Sequence, residues 1–233
     1  MRIESVPDPG EPGRDDVVIE VVRAAICGTD ASEWSHGPVL AQPPVVLGHE
    51  FVGRVAAVGS EVDVLKVGDR VVSGAGISCG TCRWCVTGRT NLCANYRTIG
   101  LSCDGGLARY VTSPSAICLR VPDAVDDDAA ALAQPLAVAL HAVRRSGVQP
   151  GDTCAVIGVG GIGAFIVAAA AARGAAPLIA LDLDPDRMET ARALGAQAVV
   201  DARARKLDEA ILEATGGEGA DVVIEASGAA TAP

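Results

Sequence analysis

The chain has 233 residues, 49% of them hydrophobic, and 19 Lys+Arg against 29 Asp+Glu give a net charge of −10. That supply of apolar side chains is enough for packed cores and excludes a disordered polymer. The acidic balance and the lack of any basic run exclude binding driven by phosphate backbones, so nucleic acid is not an expected partner. In chain order, residues 1–20 are acidic and proline-rich with no apolar signal core, and no later stretch has the length and apolarity of a membrane span. A cytoplasmic location without membrane attachment is the expectation. Residues 17–26 (VVIEVVRAAI) read as a strand, and β-branched runs recur at 51–58, 69–73 and 107–112 between Gly and Pro signals, which predicts an all-β pattern of short strands. After Pro122 the character changes. Asp126, Asp127 and Asp128 form an N-cap region, and residues 129–145 are Ala/Leu-rich, interrupted by Pro135, which predicts helices.

A domain boundary is expected near residues 147–152, dividing the chain into 1–147 and 148–233. Beyond it, short apolar strands at 154–158, 178–182, 198–202 and 221–228 alternate with helices at 162–173, 185–194 and 207–215. That alternation predicts a parallel, doubly wound α/β sheet.

Eight cysteines without a secretory signal read as thiols or thiolates. Four of them, Cys79, Cys82, Cys85 and Cys93, have the spacing C-x2-C-x2-C-x7-C inside a Gly-containing stretch, whereas Cys27, Cys103, Cys118 and Cys154 stand alone. Four soft ligands in one loop suit the closed tetrahedral geometry of structural zinc. A ferredoxin-type cluster is the rival, but its last gap is usually shorter and a Pro follows its final Cys, where Ala94 stands here. Such a lobe, about residues 76–103, draws its folding free energy from the metal and does no chemistry.

Cys27 (ICGTD) and the pair His49-Glu50 (LGHEFVG) form a second constellation. Alone, Cys27 reads as a small core residue and His49 as a structural histidine. Together, a thiolate, an imidazole and a carboxylate on neighbouring β-segments supply three ligands and leave the fourth position open, as catalytic zinc requires. Of the other histidines, His36 reads as a loop residue and His141 as a packing residue.

Gly158-Val159-Gly160-Gly161-Ile162-Gly163 is G-x-G-x-x-G between a strand and an Ala-rich helix. Such glycines allow a tight turn and close approach of a pyrophosphate to a helix N-terminus. Asp182 ends the next strand, placed to accept hydrogen bonds from an adenosine ribose diol, which argues for NAD over NADP.

Gly48-His49-Glu50-x2-Gly53-x5-Gly59-x2-Val62 resembles the zinc-containing alcohol dehydrogenase signature at every fixed position, and VGDRV, the four-cysteine lobe and DGGLARYV follow in the family's order. The chain is thereby identified as similar to the medium-chain alcohol and polyol dehydrogenases over essentially its whole length. The resemblance implies a GroES-like catalytic domain followed by a partial Rossmann domain, and two zinc ions per chain. It implies that Cys27 and His49 bind the catalytic zinc, that Thr29 supplies a hydroxyl for proton relay, and that Asp30 orients His49. In the polyol branch Glu50 is itself a ligand.

One position departs from that branch: Gln134 in AQPLAVALH stands where a Glu is common, and it either binds the metal through its amide oxygen or leaves it to the other three. The resemblance implies hydride transfer from a secondary alcohol, polyol or sugar to NAD, and a dimer or tetramer of the intact form. Full members are longer, so the chain reads as cut short at both ends. A zinc-binding relative that does not turn over is the rival, and a zinc-free quinone reductase of the same fold would need neither ligand set.

Overall fold

The computed structural model describes residues 2–204 and 206–229. These form two compact units that divide between Gln134 and Pro135. The first is β-rich. Its elements are β1 (Asp16–Ala24), α1 (Gly28–His36), β2 (Phe51–Val58), β3 (Arg70–Ser73), β4 (Gly76–Ile77), α2 (Arg83–Val86), β5 (Arg97–Thr98), β6 (Tyr110–Pro114), β7 (Cys118–Arg120) and α3 (Asp127–Ala131). Five strands make one antiparallel sheet in the order β6-β1-β2-β3-β7. The alternation of the sequence places Val17, Ile19, Val55, Val71 and Val111 on one face, where they bury with Phe51, Leu65 and Ile99. β4 and β5 pair separately and close the base of the four-cysteine lobe.

The second unit begins within the helix α4 (Ala133–Ser146) and continues as β8 (Cys154–Ile157), α5 (Gly161–Ala172), β9 (Leu178–Asp182), α6 (Pro185–Ala193), β10 (Ala198–Asp201), α7 (Leu207–Ala214) and β11 (Val222–Glu225). All four strands are parallel in the order β10-β9-β8-β11. One face of the sheet, with Val156, Leu178 and Ala180, packs on Ile166, Val167 and Ala170 of α5 and Ala191 of α6. The other face, with Ala155, Ile157, Ile179 and Leu181, packs on Ala210 and Ile211 of α7. Helices thus cover both faces, which is why β8 and β9 read as continuous apolar runs. α4, on the first-domain side of the boundary expected at 147/148, contributes Ala139 and Val143 to this core.

Two differences from the sequence expectations bear on function. The region before Pro122 is not all β: residues 28–36 form α1, whose sequence GTDASEWSH has no apolar stripe because its buried residues are Asp30 and Glu33. Cys27 accordingly does not end a strand. It lies three residues beyond β1, at the N-cap of α1. Asp126 does cap a helix, its carboxylate accepting from Ala129 N at 2.7 Å. Among the described residues no helix is long and apolar enough to cross a membrane.

Candidate functional site

The four-cysteine lobe is assembled by short elements that each deliver one sulfur. Cys79 follows β4, Cys82 caps α2, Cys85 sits inside α2, and Cys93 follows a 3-10 turn at Thr90–Leu92. The four Sγ atoms all lie within 4.8 Å of one another. Cys82 and Cys85 are 3.5 Å apart and Cys79 and Cys85 3.9 Å, close to the edge of about 3.8 Å that a tetrahedron of Zn–S bonds near 2.3 Å has. The protonation chemistry fits as well. N–H donors at Thr81 and Cys82 bring Cys79 down to about 5. Burial and the neighbouring thiols push Cys85 up to about 11. Four sulfurs this close cannot all ionise without a cation among them. Cys93 also accepts backbone N–H bonds from Cys79 (3.2 Å) and Asn95 (3.3 Å). The Arg83 guanidinium stacks on Trp84 at 4.2 Å and Arg89 approaches it at 5.9 Å, so two cations flank the cluster's helix.

Cys27, His49 and Glu50 come together from 22 residues apart, their ligand atoms within 4.8 Å of one another. Glu50 and His49 are buried, 5% and 6% exposed. Gly48 makes this approach possible. Its φ is +98°, and a Cβ there would lie 2.6 Å from Leu107 Cγ and 2.7 Å from Leu107 N. Its carbonyl accepts from Gly106 N at 2.8 Å, so DGGLARYV packs directly against the turn that presents His49. Ala25 N donates to Glu50 O at 2.8 Å and brings the Cys27 segment alongside.

Asp30 binds the same cluster from α1: its Oδ2 accepts from Cys27 N at 2.9 Å, and its Oδ1 lies 3.9 Å from His49 Nδ1. Asp30 Oδ1 and His49 Nδ1 are both buried without a hydrogen-bond partner among the described residues. The Cys27 sulfur, with smaller contributions from Asp30 and Glu50, holds the His49 imidazole above its ordinary range. A buried imidazole surrounded by a thiol and two carboxyls is short of positive charge, and a divalent cation supplies it. The donor set therefore fits zinc. Thr29 lies in the first turn of α1, two residues from Cys27. Gln134, at the second position of α4, is half-buried.

The glycine motif lies where β8 runs into α5. Gly158 has φ +87° and leaves no room for a Cβ, which would meet Ser227 Cα at 2.6 Å; one on Gly163 would meet Gly158 O at 1.9 Å. Those two glycines are packing requirements. Gly160, the N-cap of α5, and Gly161 have nothing within 4 Å of a built Cβ, so the helix N-terminus with Gly161 and Ile162 opens on free space, the cradle an anion needs. Asp182 is 7% exposed and occupied. Its Oδ2 accepts from Val159 N at 2.6 Å, and its Oδ1 from Leu183 N (2.7 Å) and Asp184 N (2.9 Å). It thus ties the glycine loop to β9, a role the sequence reading did not contain. Arg187 reaches 3.9 Å from its Oδ1.

The fold, a β-rich unit and a parallel α/β unit, carries two clusters that could each hold a metal ion, and known proteins resemble the chain in sequence and fold. Residues 13–123 match the alcohol dehydrogenase GroES-like domain and residues 161–233 the zinc-binding dehydrogenase family. Sorbitol dehydrogenase of Bacillus subtilis is 38% identical over 232 residues, covering 98% of this chain and 65% of that protein. The crystal structure of 2R,3R-butanediol dehydrogenase from Bacillus subtilis matches with TM-score 0.88 at 36% identity, over 97% of this chain and 67% of that one. A protein of Sinorhizobium meliloti 1021 described as a zinc-binding dehydrogenase and bound to NADP matches with TM-score 0.88 at 41% identity, over 95% and 65%. The chain belongs to the zinc-dependent medium-chain alcohol and polyol dehydrogenase family. It spans just under two thirds of the Bacillus sorbitol dehydrogenase.

Proposed function

We propose that the protein is a zinc-dependent, NAD-linked oxidoreductase acting on a secondary alcohol, polyol or sugar. The observation that carries this reading is the convergence of Cys27, His49 and Glu50, three ligands of the right kind that leave a fourth position open. Zinc, when bound there, supplies Lewis acidity that lowers the pKa of a hydroxyl toward neutrality, to about 7 for water in comparable sites. Cys27 and Glu50 balance the ion's charge, His49 is held by Asp30, and Gln134 is proposed as a weak neutral oxygen donor that leaves the open position to the substrate hydroxyl. The Thr29 hydroxyl would take the O–H proton of the alcohol, and NAD, when bound, would supply the hydride acceptor that the conversion of a secondary alcohol to a ketone requires. Gly158, Gly160, Gly161, Ile162 and Gly163 cradle the pyrophosphate, and the remaining lone pairs of Asp182 favour a ribose diol over a 2′-phosphate. Cys79, Cys82, Cys85 and Cys93 hold a second, structural zinc.

The catalytic part is assigned to residues 1–147 and the nucleotide part to 148–233, with α4, which packs into the second unit's core, as the connection between them. The names of the relatives, sorbitol dehydrogenase and butanediol dehydrogenase, support small polyols as substrates. A cytoplasmic homo-oligomer, dimer or tetramer, completes the reading. The test is NAD-dependent oxidation of a panel of secondary alcohols, diols and sugar alcohols, with zinc counted in the same sample. Turnover with two zincs per chain supports the proposal; two zincs without turnover on any member identifies a non-catalytic relative.

A further inference from the structure

The four-cysteine lobe and the Cys27 group differ in one chemical respect. The Cys27 group holds a single sulfur among its three ligand atoms, whereas the lobe holds four sulfurs within 4.8 Å of one another. A disulfide in the lobe therefore needs no remote parts of the chain to meet. Cys79 and Cys85 stand 3.9 Å apart and Cys82 and Cys85 3.5 Å. An S–S bond is about 2.05 Å long, so a side-chain movement of under about 2 Å closes either pair.

Access separates the four sulfurs. An open cavity of about 390 Å³ is lined by Ile77, Ser78, Cys79, Asn95, Tyr96 and Arg97, and of the four cysteines only Cys79 lines it. One wall is fixed by close packing: Tyr96 lies across Gly76, which leaves no room for a Cβ beneath the phenol oxygen. Cys93, at the other extreme, is 7% exposed, and its sulfur accepts from the N–H groups of Cys79 and Asn95. Cys85 lies on α2 and is half-buried. Cys79 thus combines an approach for a small molecule from solvent with a second sulfur beside it, the two features of an oxidisable thiol that is resolved as a disulfide.

Resting on the reading of this lobe as a structural zinc site, we propose that Cys79 is a site of oxidation by hydrogen peroxide and that Cys85 resolves it. Zinc, when bound, keeps these sulfurs as thiolates. The Cys79 thiolate attacks one peroxide oxygen: an S–O bond forms, the O–O bond breaks and hydroxide leaves, giving a sulfenic acid. The Cys85 thiolate then attacks the Cys79 sulfur: the S–S bond forms, the S–O bond breaks and a second hydroxide leaves. Two thiolates have lost two electrons and one peroxide has gained them. Cys82 and Cys93 remain, two ligands where closed coordination needs four, so the lobe gives up its ion. The Cys27 group has no second sulfur and forms no such bond. The modification therefore acts on the fold of the lobe and takes no part in catalysis.

The test treats the zinc-loaded protein with a small excess of hydrogen peroxide, with and without dimedone to trap sulfenic acid, and follows released zinc with a chromogenic chelator. Mass spectrometry after alkylation of the free thiols maps the products. The expected result is a fall from two zincs per chain to one and a disulfide between Cys79 and Cys85. With dimedone present, the adduct at Cys79 exceeds that at Cys103 about tenfold. Dithiothreitol with added zinc restores two zincs per chain. Retention of both zincs, a larger adduct at Cys82 or Cys103, or a disulfide that omits Cys79 overturns the proposal. Absence of zinc from the lobe before peroxide removes the metal reading alone, because the adduct and the mapped disulfide still decide where oxidation falls.

Discussion

Asp30 Oδ1 and His49 Nδ1 face each other at 3.9 Å, both buried and both without a hydrogen-bond partner among the described residues. That separation is too long for a hydrogen bond, yet it keeps a negative charge beside the imidazole, which raises the ring's basicity and steadies its orientation for a metal. Replacing Asp30 by Asn removes the charge and keeps the shape. The expected result is a 10- to 100-fold weaker zinc affinity at one of two sites, measured by competition with a graded chelator. Equal affinity in Asp30→Asn and wild type would refute the coupling.

The four-cysteine lobe gives a second, independent readout. Trp84 lies between Cys82 and Cys85 and is one of only two tryptophans, so Trp34→Phe leaves it as the sole indole. In that background Cys85→Ser is expected to lower zinc from two per chain to one and to shift Trp84 emission as the lobe opens. The loss is severe because a structural zinc contributes on the order of 10 kcal/mol to folding. Retention of two zincs after Cys85→Ser would show that the sulfurs are not a ligand set.

The contrast between these two clusters explains what was legible in the sequence. The cysteine lobe was legible because spacing alone brings Cys79, Cys82 and Cys85 together, and Cys93 joins after the turn Thr90–Leu92 within the same loop, whose ends β4 and β5 tie together. The parallel sheet was legible because strands such as Leu178–Asp182 are buried on both faces and read as unbroken apolar runs. α1 was not, because hydrophobic periodicity is blind to a helix whose inner face is Asp30 and Glu33. Glu33 carries no motif either. Its partners, Val39 and Leu40, are backbone N–H groups, and no residue identity announces those.

Acid sensitivity follows from Asp69. Its carboxylate accepts from Lys66 N at 3.0 Å and from Arg120 Nε at 2.9 Å, joining the start of β3 to β7, and these bonds, Lys66 N–H first, hold its pKa below the ordinary 3.8. A carboxylate whose folded pKa is depressed contributes stability that is complete above its unfolded value and lost as pH falls through the folded one. Wild type is therefore expected to melt higher than Asp69→Asn at pH 6 to 7, and the gap is expected to close below about pH 4. Thermal denaturation at a series of pH values checks this, and a gap that persists unchanged at pH 3 would contradict it.

The bond between Asp182 and Val159 leads to the last expectation. Asp182 Oδ2 accepts from Val159 N at 2.6 Å inside the glycine motif, so the residue expected to meet the ribose also fixes the loop expected to meet the pyrophosphate. Asp182→Ala strands three backbone N–H groups, on Val159, Leu183 and Asp184, and an unsatisfied buried donor costs about 1–3 kcal/mol. Binding of ribose diol and of pyrophosphate should then fail together. Calorimetric titration with NAD and with inorganic pyrophosphate is expected to show both weakened in Asp182→Ala, whereas a residue serving the ribose alone leaves pyrophosphate binding untouched. Asp182→Asn sharpens the comparison, because its amide oxygen still accepts from Val159 N. Partial recovery of pyrophosphate binding in that variant, without recovery of the preference for NAD over NADP, is the outcome that separates the loop-holding role of Asp182 from its ribose role.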